Sequence, residues 1–149
     1  MSFLENKIPP PLVMVAFMLL IWLIDSSGTQ MLELQISVAL VVVVALVLVR
    51  SSIMSFIKQK TTVNPLNPEA ATSLVIDGVF KLTRNPMYLA MALVVLAWGL
   101  YFVEVYSPVF LVAFVLFMTQ FQIVPEERAL DKVFGESYTQ YKQKVRRWI

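Results

Sequence analysis

A chain of 149 residues has room for one domain. It is 58% hydrophobic and 15% charged, against roughly 45–50% and about 25% for a soluble domain, and its apolar residues fall in long runs, which excludes an ordinary soluble fold. The absence of Cys and His removes disulfides, a thiol nucleophile, an imidazole base and the commonest metal ligand, so no metal site is expected. The net charge of +2 matters less than where the charges lie.

In chain order, residues 1–7 are a short polar start and 8–24 an apolar run headed by Pro9-Pro10-Pro11. At roughly 17 residues the run is near the lower limit for a spanning helix. It is long for the core of a signal peptide and a second run follows at once, so a retained helix is expected. Residues 25–33 form a polar loop with Asp25 and Glu33, and 34–57 form a Val-rich second span. Its β-branched residues suggest a strand in isolation, but a lone strand cannot satisfy its backbone in lipid. A polar connector over 58–86 carries two turn formers, Asn64-Pro65 and Asn67-Pro68, and then a short apolar stretch broken by Gly78 that suits a short helix on the membrane. Spans over 87–103 and 107–124 follow, with Pro125 expected to end or kink the last one. Over 125–149, Leu130, Val133, Phe134, Tyr138, Tyr141, Val145 and Trp148 recur at helical spacing, giving one or two amphipathic helices divided at Gly135.

The sequence thus predicts a single all-α membrane domain over 1–149, with about four transmembrane helices and cytosolic amphipathic C-terminal helices. With the N-terminus in the cytoplasm, Lys7, Arg50, Lys58, Lys60, Lys81, Arg84 and every basic residue from Arg128 to Arg147 fall inside. The outer loops then hold only Asp25, Glu33 and Glu104, a strongly one-sided count that predicts a multi-pass protein with both termini cytoplasmic.

Three groups on that inner face can carry chemistry. The first is Thr83-Arg84-Asn85-Pro86-Met87-Tyr88. Asn85 suits a helix N-cap and Pro86 the first helical position, so free N–H groups, the helix dipole and Arg84 together suit a carboxylate or phosphate. The bland alternative is a membrane-edge anchor, since Arg and Tyr both favour the interface. The second is Glu126-Glu127, which is either helix-start chemistry or a carboxylate facing a ligand; neighbouring helix positions point about 100° apart, so only one can face a given pocket. The third runs from Phe134-Gly135 through Tyr138 and Tyr141 to Val145-Arg146-Arg147-Trp148, which an interfacial helix with an aromatic seam also explains. No P-loop or GxGxxG fingerprint is present, and no nucleic-acid partner is expected.

In order and spacing, Gly78-Val79-Phe80, Thr83-Arg84-Asn85-Pro86-Met87-Tyr88, Pro125-Glu126-Glu127-Arg128-Ala129-Leu130 and Phe134-Gly135 with Tyr138 and Tyr141 resemble the isoprenylcysteine carboxyl methyltransferase and phospholipid methyltransferase superfamily of membrane enzymes. The resemblance covers about half the chain, from near residue 61 onward. It implies S-adenosylmethionine as cofactor and methyl transfer to a lipophilic acceptor, a carboxylate or an amine, drawn from the bilayer at the cytoplasmic face. It implicates Arg84, Asn85, Tyr88, Glu126, Glu127, Tyr138 and Tyr141 in cofactor binding, with Arg84, Asn85 and Glu127 nearest the chemistry and Glu127 the favoured glutamate. The family commonly reads Arg-His-Pro where this chain has Arg84-Asn85-Pro86, and Asn85 cannot titrate. A sulfonium methyl is already activated, so positioning and desolvation can suffice without a base. An NADPH-dependent membrane reductase and a non-catalytic scaffold or transport subunit remain as alternatives. Thr119, Gln120 and Gln122 are candidates for the pocket floor.

Overall fold

A computed structural model describes residue 5, residues 7–61, residue 69 and residues 71–149. The turns expected at Asn64-Pro65 and Asn67-Pro68 lie outside these residues. Among the described residues all regular structure is helical. The helices are α1 (Pro10–Ile24), α2 (Leu32–Gln59), α3 (Pro86–Val103), α4 (Ser107–Met118), α5 (Val124–Phe134) and α6 (Glu136–Lys144). Where a short helix or a re-entrant piece was expected, a 3-10 turn spans Gly78–Lys81.

Three helical stretches are long and apolar enough to cross a membrane: α2, α3 and the continuous run Ser107–Phe134. The expectation of four spans is met less fully at α1, whose 15 residues reach about 22 Å against a hydrocarbon core of about 30 Å. The Pro9-Pro10-Pro11 head sets its start, because proline fits a first turn, whose N–H groups have no partner.

Helix α3 is the centre of the bundle, packed against α1, α2 and α4. Ile21, Val95, Phe114 and Met118 are fully buried around it. Phe17 of α1 meets Phe114 of α4 edge to face at 5.4 Å. Trp98 Nε1 donates to the Met18 carbonyl at 2.9 Å, and the Thr29 N–H to the Tyr101 carbonyl at 2.7 Å, fixing α1 and its loop to α3. Gly99 is required by close approach, since a Cβ there would stand 2.9 Å from Ser107 Cβ at the head of α4. By contrast Leu40, Val43, Leu46 and Val47 of α2 stay exposed, as lipid-facing side chains do.

Pro125 does not end the last span. Thr119–Ile123 forms a π turn, and the helix passes through it into α5. Within an α-helix, Pro125 would clash with the carbonyl four residues back and leave it without a donor. The π turn stands immediately before the proline, and its Val124 N–H reaches back five residues to the Thr119 carbonyl. The break between α5 and α6 falls at Gly135 as expected, at φ 53° and ψ −123°, a conformation that favours glycine.

Candidate functional site

The segment after α6 runs back over the start of α3 and is fastened to it. The Arg84 N–H donates to the Arg146 carbonyl at 3.0 Å. The Arg147 carbonyl accepts from Thr83 Oγ1 at 3.2 Å and from Asn85 Nδ2 at 2.9 Å. Beyond it, Trp148 Nε1 donates to Thr119 Oγ1 in the π turn at 3.0 Å. Asn85 does open α3, its carbonyl accepting the Leu89 N–H at 2.9 Å. Its side-chain amide, expected at a ligand, holds this strap.

Beneath the strap lies a cluster of three charges. Glu127 is 9% exposed. Its Oε1 lies 3.0 Å from Arg84 Nη2 and accepts from Arg147 Nε at 3.0 Å, while Oε2 accepts from Arg147 Nη2 at 2.7 Å. Arg147 therefore grips the carboxylate as a fork and Arg84 touches it at one end. The bond to Glu127 holds the Arg147 guanidinium above its ordinary pKa. Both oxygens of Glu127 are engaged, so the glutamate favoured for the ligand serves to hold two arginines. The Arg84 side chain is only 10% exposed, yet its Nε and Nη1 are buried with no hydrogen-bond partner among the described residues. Leaving such a group unpaired costs about 1–3 kcal/mol or more, so an arginine in this state is poised to take an anion.

Arg84 lines a cleft of about 140 Å³ with Asn85, Met87, Tyr88 and Met91 from the start of α3, Pro10 and Pro11 of α1, Phe56 of α2, Phe80 of the 3-10 turn and Glu126 of α5. The walls are mostly apolar. Tyr88 hydroxyl donates to Glu126 Oε2 at 2.8 Å, so the first two sequence groups meet directly. Arg84, Asn85, Tyr88 and Glu126 are thus brought together, and Glu127 sits behind them. The π turn makes this possible by setting the rotation at which α5 presents Glu126 and Glu127.

Tyr138 and Tyr141 do not line the cleft. They are 3% and 7% exposed, in a second apolar cluster with Val75 and Phe80. Tyr141 hydroxyl donates to the Phe80 carbonyl at 2.6 Å, which steadies the turn just before Arg84. Burial pushes both phenols up from their ordinary pKa, so they stay neutral. They pack behind this cleft rather than in its wall. Thr119 and Gln122 are not on the cleft floor either: Thr119 receives Trp148, and Gln122 Nε2 donates to the Ile8 carbonyl at 3.0 Å.

Arg147 and Trp148 were named in the third sequence group but given no role at the site. They lay in a basic, aromatic stretch that an interfacial helix explained equally well, and only the return of the chain onto Arg84 distinguishes them. Thr83 was quoted in its motif without a role, and it is 2% exposed and bonded to the strap.

An uncharacterized protein of Haemophilus influenzae is 44% identical over 63 residues, which is 42% of this chain and the whole length of that protein. No solved structure gives a significant match. The phospholipid methyltransferase family model matches residues 34–137, from the start of α2 to the first turn of α6. That span is more than half of the chain and holds Arg84, Tyr88, Glu126 and Glu127, and the protein belongs to the phospholipid methyltransferase family.

Proposed function

We propose that the protein transfers a methyl group from S-adenosylmethionine to a lipophilic acceptor, an amine or a carboxylate, at the cytoplasmic face of the membrane. One observation carries this reading: Arg84, buried and with Nε and Nη1 unpartnered, lines a largely apolar cleft. That donor set fits a carboxylate such as the cofactor bears. The cleft is smaller than the roughly 300–1,000 Å³ of a small-molecule pocket, so it suits the polar end of such a ligand rather than the whole of it. When bound, the cofactor supplies an activated sulfonium methyl, which needs alignment and dryness more than proton transfer.

The chain's own residues have separable parts in this proposal. Arg84 holds the anionic group. Tyr88 orients Glu126, whose carboxylate takes the ribose hydroxyls or the amino group; this role falls to Glu126 because arginines occupy Glu127. Phe56, Phe80, Met87 and Met91 exclude water and admit an apolar acceptor. Asn85 holds the strap and moves no proton.

Calorimetry with S-adenosylhomocysteine in detergent, for wild type, Arg84→Ala and Glu126→Gln, tests the assignment. Loss of one charge-assisted hydrogen bond is expected to weaken binding by about ten- to a hundredfold in Arg84→Ala. Unchanged affinity in both variants would exclude it. A labelled-methyl assay against total membrane lipid then identifies the acceptor.

A further inference from the structure

Arg147 holds Glu127 through two bonds, at 3.0 and 2.7 Å, whereas Arg84 reaches it through one nitrogen at 3.0 Å. This division decides the state of Arg84. A carboxylate facing a lone guanidinium prefers the forked, two-bond pairing. Without Arg147, Glu127 Oε2 would lose its partner and Arg84 would be the guanidinium at hand. The pair would then be neutral, and a second Arg84 nitrogen would be spent on it. With Arg147 present the three groups sum to one positive charge, and Arg84, the deeper arginine at 10% exposure against 36%, keeps Nε and Nη1 free. The Arg147 side chain is not needed to fasten the strap, because Thr83, Arg84, Asn85 and Thr119 already hold its backbone and Trp148.

We propose that Arg147 is a positioning residue: by bonding both oxygens of Glu127 it limits Arg84 to a one-nitrogen contact with that carboxylate and leaves the three groups one net positive charge, and so keeps Arg84 available to an anionic ligand. The proposal rests on the reading of Arg84 as the anion seat. It makes an unusual demand of a double variant. If Arg147 acts by occupying Glu127, then removing the Glu127 charge makes Arg147 dispensable. If Arg147 only anchors the strap, a second lesion in the same anchor brings no recovery.

The test titrates S-adenosylhomocysteine, and separately inorganic phosphate, into wild type, Arg147→Ala, Arg147→Lys, Glu127→Gln and the Glu127→Gln/Arg147→Ala double variant. Each protein is first checked by circular dichroism and gel filtration. Arg147→Ala is expected to weaken binding by about tenfold or more, and the double variant to return within about threefold of wild type, because Gln cannot neutralise Arg84. Lysine has no fork with which to occupy both oxygens, so Arg147→Lys is expected between the two; should Arg147→Ala not fold, Arg147→Lys with and without Glu127→Gln asks the same question. A double variant as weak as Arg147→Ala, or an unchanged Arg147→Ala, overturns the proposal. Binding of phosphate without S-adenosylhomocysteine rejects the cofactor reading, and the phosphate series alone then decides the role of Arg147. Binding of neither by wild type overturns both.

Discussion

Tyr141 and Arg84 show how little a residue's type says about its role. Both carry polar groups, and both are largely buried. Tyr141 is satisfied, its hydroxyl bonded to the Phe80 carbonyl, whereas Arg84 retains two unpaired nitrogens beside a cleft. Tyr141→Phe is therefore expected to cost about 1–3 kcal/mol of stability, by orphaning that carbonyl, while S-adenosylhomocysteine affinity stays within about twofold of wild type. Thermal melts and calorimetry on the same preparation check both halves. A large loss of affinity at unchanged stability would return Tyr141 to the ligand. Arg84, Tyr88 and Glu126, which line one cleft, stood out as candidates in the sequence because a proline-started helix, a cation and paired carboxylates leave a local signature. Which glutamate faces the cleft was not legible, since that depends on the rotation of α5 about its axis, and one turn of π-helix alters it.

Helix boundaries were read closely wherever composition changes sharply. Residues 87–103 were expected and Pro86–Val103 is found; for α2, 34–57 was expected and Leu32–Gln59 is found. At Pro125, expected to end or kink the last span, the helix continues, and a π turn lies just before the proline. That turn carries one residue more than an α-helical turn, so its loss should rotate everything after it by about 100°. Deletion of Gln120, which is exposed on the turn, is expected to abolish S-adenosylhomocysteine binding and leave helix content unchanged by circular dichroism. The substitution Gln120→Ala, which keeps the register, is expected to leave binding intact. Equal binding by both variants would show that the turn does not set the site.

At the scale of the whole molecule the protein is a membrane bundle about α3. The structure adds a contact that composition cannot give: Arg128 of α5 pairs with Glu5, ahead of α1. Gln122 likewise bonds the Ile8 carbonyl, so the region before α1 lies at the same end of the bundle as α5. Both observations put the segment before α1 and the start of α5 on one side; that this side is the cytoplasm is a proposal from the basic residues alone. The natural absence of cysteine makes a direct test simple. In intact cells an impermeant maleimide is expected to label Ser26→Cys, between α1 and α2, and to label Gln143→Cys in α6 only after the membrane is opened. The reverse pattern would invert the protein, and labelling of both in intact cells would break the even number of crossings.

The strap also imposes an order on the protein's birth. Asn85 and the residue whose carbonyl it holds, Arg147, stand 62 positions apart, with α3, α4, α5 and α6 between them. A ribosome that has delivered every helix to the membrane has not yet delivered the clamp. Until Arg147 emerges, the nascent chain has Arg84 and Glu127 with no second arginine to share the carboxylate between them. On the proposed role of Arg147, the bundle can therefore be inserted before its anion seat is complete, and an unfinished chain would lie in the membrane with that seat switched off.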